Sequence, residues 1–440
     1  MSEKPKDAKK LPLLGELAMK IGRGAAAVLT GSTGHRPRIL IGKDTRQSGD
    51  MLEAALTAGL CSVGADVESL DVLPTPAVAY LVGKYNADAG IVISASHNPM
   101  EFNGIKIFAG TGYKLPDEVE NQIEAYIDNN CAGIELKTGA EVGRVYRRDD
   151  GLQDYVDHLY ESIHGDLTGL RVCIDCANGA SAAVAQKLFP RLGAKCTFIG
   201  IAPDGENINK GVGSTHLENL EKAVVEGGFD CGIAFDGDAD RCLAVDAEGN
   251  VVDGDQIMAI LAVGMKERND LRDTKLVAPV MSNLGLKLAM AEQGIDIVST
   301  KVGDRSVLEE LQNLDLSLGG EQSGHVIIPE HCSTGDGTLT GLSVMARMAE
   351  TGKSLKELAS VMTVLPQVLV NVPVADKASI AGAPSVIAAI AEAEEELGDT
   401  GRVLLRPSGT EELFRVMVEA PEEAVARRVA GRLAAVVTAV

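Results

Sequence analysis

No stretch of the 440-residue chain approaches the ~18–20 uninterrupted apolar residues that a membrane-spanning helix needs. The N-terminal region carries Lys4, Lys6, Lys9 and Lys10, but the segment after Leu11 is broken by Glu16 and Lys20. That is an amphipathic pattern, not the apolar segment of a secretion signal, and a cytoplasmic protein is expected. Cysteine is too sparse for a disulfide framework, with eight in the whole chain. Cys173 and Cys176 form one CxxC inside the strand-like RVCIDC, with no second pair to complete a zinc site, so core packing is expected. Basic residues are in deficit, 41 against 63 acidic, for a net charge of −22. Such a field repels phosphate backbones and anionic headgroups, which argues against a general nucleic-acid or membrane-surface binder. A local basic pocket for a small phosphorylated substrate stays open. Apolar residues at 45% and charged residues at 24% are ordinary for a globular protein. At ~150 residues per domain the length suggests about three domains, with two or four open.

Short apolar runs alternate with amphipathic stretches: RILIG at 38–42 before MLEAALTAGLCSVG, GIVIS at 90–94, RVCID at 171–175 before SAAVAQKLFPRLG. Strands separated by helices predict an α/β fold with mixed, mostly parallel sheets. A weak internal repeat runs through it. Helices end on Gly64, Gly193 and Gly294, each followed by a strand, and glycine there suits the left-handed position after a helix. Each unit then leads to a strand that opens into a polar loop: SASHNP (94–99), FDGDADR (235–241) and GGEQSGH (319–325). Ligands of open α/β sheets gather beyond the carboxyl ends of strands, so three related units predict three walls of one central cleft. Residues 366–440 read differently, as strand, Ala/Glu-rich helix, strand, polar loop, strand and helix, a smaller α+β unit. Four domains follow, 1–150, 151–250, 251–365 and 366–440.

In FDGDADR, three carboxylates at alternate positions after a strand repel one another, and a hard cation such as Mg²⁺ on Asp236, Asp238 and Asp240 resolves this. An EF-hand fails, because Arg241 and Ala247 stand where glycine and glutamate are required. A phosphatase with Asp236 as nucleophile is compatible with the spacing. SASHNP offers Ser94, Ser96, His97 and Asn98; Ser96 beside His97 suits a nucleophile, and equally a capped turn closed by Pro99. No GxSxG elbow occurs, and TGKS at 351–354 lacks the glycine of a P-loop, having Arg347 in its place. Lys106, in NGIKIF, suits a proton donor or phosphate partner, although a lone lysine is more often simply exposed. Glu321, Gln322, Ser323 and His325 sit between glycines that allow a sugar to approach the backbone closely. RPSGTEELFR gathers Arg406, Ser408, Gly409, Thr410 and Arg415, a set suited to cradling phosphate or to an ordinary hairpin.

With these loops in this order, the chain resembles the phosphohexomutase superfamily, in its bacterial glucosamine-phosphate branch. The resemblance runs from Ile39 to the C-terminus through ILIGKDTR, PTPAVAYL, GIVISASHNP, NGIKIF, CANGA, IAFDGDADR with VDGDQIM, KVGDR, GGEQSGH, STGDG and RPSGTEELFRVMVE. It implies that Ser96 is a phosphoserine that donates and recovers a phosphoryl group. Asp236, Asp238 and Asp240 would hold Mg²⁺, with a Ser96 phosphate oxygen as a further ligand. Glu321 and Ser323 would bind sugar hydroxyls, and Arg406, Ser408, Gly409, Thr410 and Arg415 the phosphate not reacting. His97, Lys106 and Arg241 are candidates for proton transfer or charge stabilisation.

The implied reaction interconverts glucosamine 6-phosphate and glucosamine 1-phosphate through a sugar bisphosphate, towards UDP-N-acetylglucosamine and peptidoglycan. It needs a catalytic bisphosphate activator, glucosamine 1,6-bisphosphate or glucose 1,6-bisphosphate. The partners implied are a small phosphosugar, with no nucleic acid and no membrane; a homodimer is left open. The alternatives are a phosphomannomutase or phosphoglucomutase, and a non-catalytic sugar-phosphate-binding paralogue. Two departures stand out. The family's N-terminal FGTDGxRG motif, whose arginine faces the phosphoserine, has no counterpart in MSEKPKDAKKLPLLGELAMKIGRG. Arg23 belongs to the following helix and does not replace it; Arg46 is expected to cover part of the missing charge, and a truncated gene model or a chain that has lost this loop is expected to have weakened or absent activity. Glu412 stands where the family often has proline.

Overall fold

A computed structural model describes residues 15–30, 34–374, 376, 379–380, 382–408 and 412–440. Its contacts divide the chain into two units: the residues up to Pro279 with Val298–Ala359, and Val280–Ile297 with Ser360–Val440.

Three sheets repeat one plan. The first runs, in spatial order, Ile105–Ala109, Ala89–Ile93, Arg38–Lys43, Asp66–Val72 and Val145–Arg147. The second runs Val251–Val252, Cys242–Asp246, Cys231–Phe235, Arg171–Asp175 and Lys195–Ile199. The third runs Val326–Ile327, Gly319–Gly320, Lys275–Pro279 and Asp296–Thr300. In each, a buried strand pairs in parallel with the unit's first strand and then turns back through a loop into an antiparallel partner. Those three loops are SASHNP, FDGDADR and EQSGH. Gly64, Gly193 and Gly294 all take the positive φ expected where a helix gives way to a strand.

The strands ahead of the first two loops, AGIVI and CGIAF, are buried along their whole length, as suits strands covered on both faces. Ile39, Ile41, Leu52, Leu56, Leu60, Val67 and Ile91 form one core beneath the first sheet. Cys173 is buried among Leu220, Val224, Ala234 and Val245, and burial pushes its thiol up to about 11. Cysteine packs here as an apolar residue, and all eight cysteines are free.

The second unit carries an antiparallel sheet, Gln367–Pro373, Leu413–Glu419 and Arg402–Pro407 in that order, with the helices Pro384–Leu397 and Glu423–Thr438. Val416, Val418, Val429, Ala430 and Leu433 build its core. Its buried acid, Glu419, is met by the Arg402 guanidinium at 2.6 Å, and Arg402 also donates to the carbonyls of Val280 and Ser282. No helix among the described residues is long and apolar enough to cross a membrane.

Candidate active site

The first three polar loops meet within the larger unit. Ser96 stands just past its strand in the left-handed region, φ 53°, where a residue bearing a side chain is strained. Its Oγ donates to Asp236 Oδ2 at 2.6 Å, and His97 Nδ1 lies 3.5 Å from the same oxygen. Its N–H donates to Ser94 Oγ at 2.9 Å.

Its carbonyl is clamped from two directions. Arg46 donates to Ser96 O at 3.1 Å, to Asn98 O at 2.8 Å, and to Pro99 O. Asn209 Nδ2 donates to Ser96 O at 2.9 Å and Asn98 O at 3.1 Å. Gly237 lets the acidic loop come this close: a Cβ there would stand 2.7 Å from Ser96 O. Arg46 itself is fully buried and paired with Asp44 at 2.9 Å. The guanidinium is thereby committed to one carboxylate and three carbonyls. The expectation that Arg46 supplies charge in place of an absent arginine is corrected: it holds the serine loop's backbone. Arg23 lies within the helix Gly15–Thr30, as expected, and donates to Ser62 Oγ. Residues 1–14, where an FGTDGxRG loop would be sought, lie outside the described residues.

Asp236, Asp238 and Asp240 are all buried, each with one carboxylate oxygen within 4.8 Å of the others. Burial and the two neighbouring carboxylates push Asp236 well above the usual range. Burial acts on Asp240 in the same direction, but the Lys106 ammonium and His325 outweigh it and hold Asp240 well below. Lys106 bridges Asp238 at 2.6 Å and Asp240 at 2.7 Å. Thr75 donates its hydroxyl to Asp238. Asp238 Oδ1 and Asp240 Oδ1 stay buried with no hydrogen-bond partner. Two orphaned carboxylate oxygens in an all-oxygen triad fit a hard divalent cation, which would satisfy both.

Arg241 donates its N–H to Asp236 Oδ1 at 3.2 Å, and its side chain stands 3.9 Å from Asp240. In the sugar loop, Glu321 Oε1 accepts the Gly303 N–H at 3.1 Å, and Ser323 Oγ is buried without a hydrogen-bond partner. His325 is buried; its Nε2 accepts the Gly335 N–H at 3.1 Å, and its Nδ1 lies 3.8 Å from Asp240.

In the second unit, Arg406 and Arg415 face each other across antiparallel strands, and Ser408 N donates to Leu413 O at 2.9 Å to close the loop. Gly409 and Thr410 lie outside the described residues. Sequence reasoning missed Asp44, Thr75 and Asn209. Thr75 sits in the noted PTPAVAYL segment, but only the fold brings it to Asp238.

These four loops and the threefold sheet plan define the class. The chain belongs to the phosphoglucomutase/phosphomannomutase family. It matches that family's α/β/α domain I over residues 7–132, domain II over 153–249, domain III over 253–365 and the C-terminal domain over 369–436. Among its relatives, a protein of Corynebacterium aurimucosum named phosphoglucosamine mutase is 63% identical over 428 residues, covering 96% of this chain and 95% of that one. One of the same name from Saccharopolyspora erythraea is 60% identical over 429 residues, covering 97% and 96%. Among solved structures, a phosphoglucomutase/phosphomannomutase family protein of Burkholderia thailandensis shares the fold at a TM-score of 0.82, with 23% identity and coverage of 98% and 95%. An Aspergillus fumigatus N-acetylphosphoglucosamine mutase, solved with GlcNAc-6P and magnesium, gives 0.64 at 21% identity, covering 92% and 83%.

Proposed function

We propose that the chain interconverts glucosamine 6-phosphate and glucosamine 1-phosphate, with Ser96 as the residue that gives and recovers the phosphoryl group. One observation carries this: Ser96 Oγ is held 2.6 Å from Asp236 on a strained, doubly clamped loop, beside a buried acidic triad. A merely structural turn gains nothing from that strain, whereas phosphoryl transfer needs placement and charge neutralisation above all. The choice of sugar is supported by the relatives at about 60% identity, named phosphoglucosamine mutase.

In the forward direction the phosphoserine P–O bond breaks and a P–O bond forms to the free hydroxyl of the monophosphate, giving a sugar bisphosphate. The bisphosphate turns over, and its other phosphoryl group returns to Ser96. His97, beside Ser96 Oγ, moves the proton between serine and sugar. Lys106 and Arg241 offset the charge on the transferring group. Asp236, Asp238 and Asp240, with a phosphoserine oxygen, would hold Mg²⁺, which when bound neutralises charge on the phosphoryl oxygens. Glu321 and Ser323 take sugar hydroxyls; Arg406, Ser408, Gly409, Thr410 and Arg415 take the phosphate at rest. A bisphosphate such as glucose 1,6-bisphosphate charges the serine.

The test is turnover of glucosamine 6-phosphate with Mg²⁺ and catalytic bisphosphate, beside Ser96→Ala and beside glucose and mannose phosphates. The expected result is fastest turnover on the glucosamine substrate, abolished in Ser96→Ala. Faster turnover of glucose or mannose phosphates would give the chain to the neighbouring mutase activities. No turnover by folded protein would leave a sugar-phosphate-binding paralogue.

A further inference from the structure

An amino sugar phosphate differs from its glucose counterpart by an ammonium in place of one hydroxyl, so a site that prefers it needs a carboxylate open to a cavity beside the centre and already suited to holding an exchangeable ammonium. Most acids near the loops are committed. The aspartate triad is held by Lys106 and the Ser96 hydroxyl. Glu321 Oε1 takes the Gly303 N–H. Asp117 and Glu120 are paired with Arg305.

Asp304 is different. It opens the helix Asp304–Asn313, directly after the glycine that Glu321 fixes. Its Oδ1 accepts the Arg305 N–H at 2.8 Å, while its Oδ2 lies 3.9 Å from His325 Nε2 and meets the ammonium of Lys114. His325 in turn stands beside Asp240. Asp304 and Lys114 line a cavity of about 550 Å³ that also holds Lys106, the residue bridging Asp238 and Asp240, with a wall of Ile105, Ile107 and Ile123. Asp304 keeps 35% of its side chain exposed and Lys114 22%, so a ligand in that cavity reaches both. A lysine ammonium on a flexible stem is a primary ammonium of the same chemical kind as that of an amino sugar.

Resting on the glucosamine reading above, we infer that Asp304 is the specificity residue for the amino group. Its carboxylate takes the substrate's ammonium in the place Lys114 now holds, and Lys114 swings aside. The isoleucines of the wall offer that ammonium no hydrogen bond, and of the cavity's acids Asp304 already holds an ammonium, whereas Glu120 is paired with Arg305 and Glu124 is exposed. A hydroxyl in the same place gains only a neutral hydrogen bond, about half as strong as a charge-assisted one.

Binding constants for glucosamine 6-phosphate and glucose 6-phosphate, by titration calorimetry with Mg²⁺, test this on the wild type, Asp304→Asn, Lys114→Met and Glu124→Gln. Asp304→Asn should weaken glucosamine 6-phosphate by about tenfold or more and glucose 6-phosphate by less than about twofold, as for loss of one charged pair. Lys114→Met, which removes the resident competitor, should raise the preference for the amino sugar. Glu124→Gln, an exposed acid on the same cavity wall, should change neither. Equal weakening of both sugars by Asp304→Asn would make Asp304 a strut for Lys114 and overturn the assignment. So would no weakening, a reduced preference in Lys114→Met, or a selective loss in Glu124→Gln. A wild type that binds the two sugars alike would instead overturn the glucosamine reading, and this assignment with it.

Discussion

Replacing Lys106 by methionine probes the electrostatics of the candidate centre most sharply. The variant keeps the stem's length and removes the one ammonium between Asp238 and Asp240, which it meets at 2.6 and 2.7 Å. At an effective dielectric of ~20, each such pair carries an attraction of about 6 kcal/mol before desolvation is charged against it. Removing one partner of a buried pair costs about 3–5 kcal/mol, because the remaining charges stay buried and unpaired. For a domain of ~150–250 residues at about 2–4 °C per kcal/mol, the apparent Tm should fall on the order of 10 °C. Magnesium ought to reverse much of that. A ligand of the folded state at a hundredfold its Kd adds about 2.7 kcal/mol, and without the repelling ammonium the variant should bind the ion more tightly than the wild type. Thermal melts of dephosphorylated protein in EDTA and across a Mg²⁺ titration read both effects. The reasoning is refuted if Lys106→Met melts with the wild type in EDTA, or if Mg²⁺ raises its Tm no more than that of the wild type.

Three further predictions test other parts of the account. Asn209→Ala removes both donations to the serine loop's carbonyls; kcat should fall about tenfold with KM within about twofold, as for lost positioning, measured by steady-state kinetics. Asp336 caps the helix Gly337–Thr351 and accepts the Tyr155 hydroxyl, and burial raises its carboxyl to about 6. A raised acid favours folding while protonated and loses that contribution as pH rises through its folded value. Asp336→Asn should therefore gain on the wild type by on the order of 2–3 kcal/mol between pH 4 and pH 8, read by denaturant unfolding at the two values. In the smaller unit, Arg402→Met leaves the fully buried Glu419 without a counter-charge, held only by the neutral donors Gln367 Nε2 and Leu284 N–H, and should destabilise that unit by about 3 kcal/mol, seen as early loss of amide-exchange protection in Leu413–Glu419.

The parts of this site visible in the sequence were those in which chemistry is compressed into a few consecutive residues. FDGDADR declares its carboxylate crowding on its own, and the runs GIVI and GIAF mark the buried strands that deliver the loops to one end of each sheet. The shared strand order of the three sheets was foreshadowed by the glycines that end their helices. What the sequence did not show is whatever depends on contacts across long separations. Asn209 reaches Ser96 from 113 positions away, and Thr75 reaches Asp238 from 163. Neither residue type, in its own turn, signals a partner. Arg46 misled for a related reason: a guanidinium near a candidate phosphate loop suggests anion binding, but Asp44 two residues earlier turns it into a backbone clamp. Lys106 was legible as a candidate, but its partners were not: only the hairpin from Ile93 to Ile105 sets it over two buried acids.

The account stands most directly on Ser96 as the phosphoryl carrier. Dephosphorylated protein mixed with Mg²⁺ and glucose 1,6-bisphosphate, then examined by intact mass and peptide mapping, should gain one phosphoryl group on Ser96. Excess glucosamine 6-phosphate should then remove it. Phosphate on another residue, or none in protein shown to bind the bisphosphate, would contradict it.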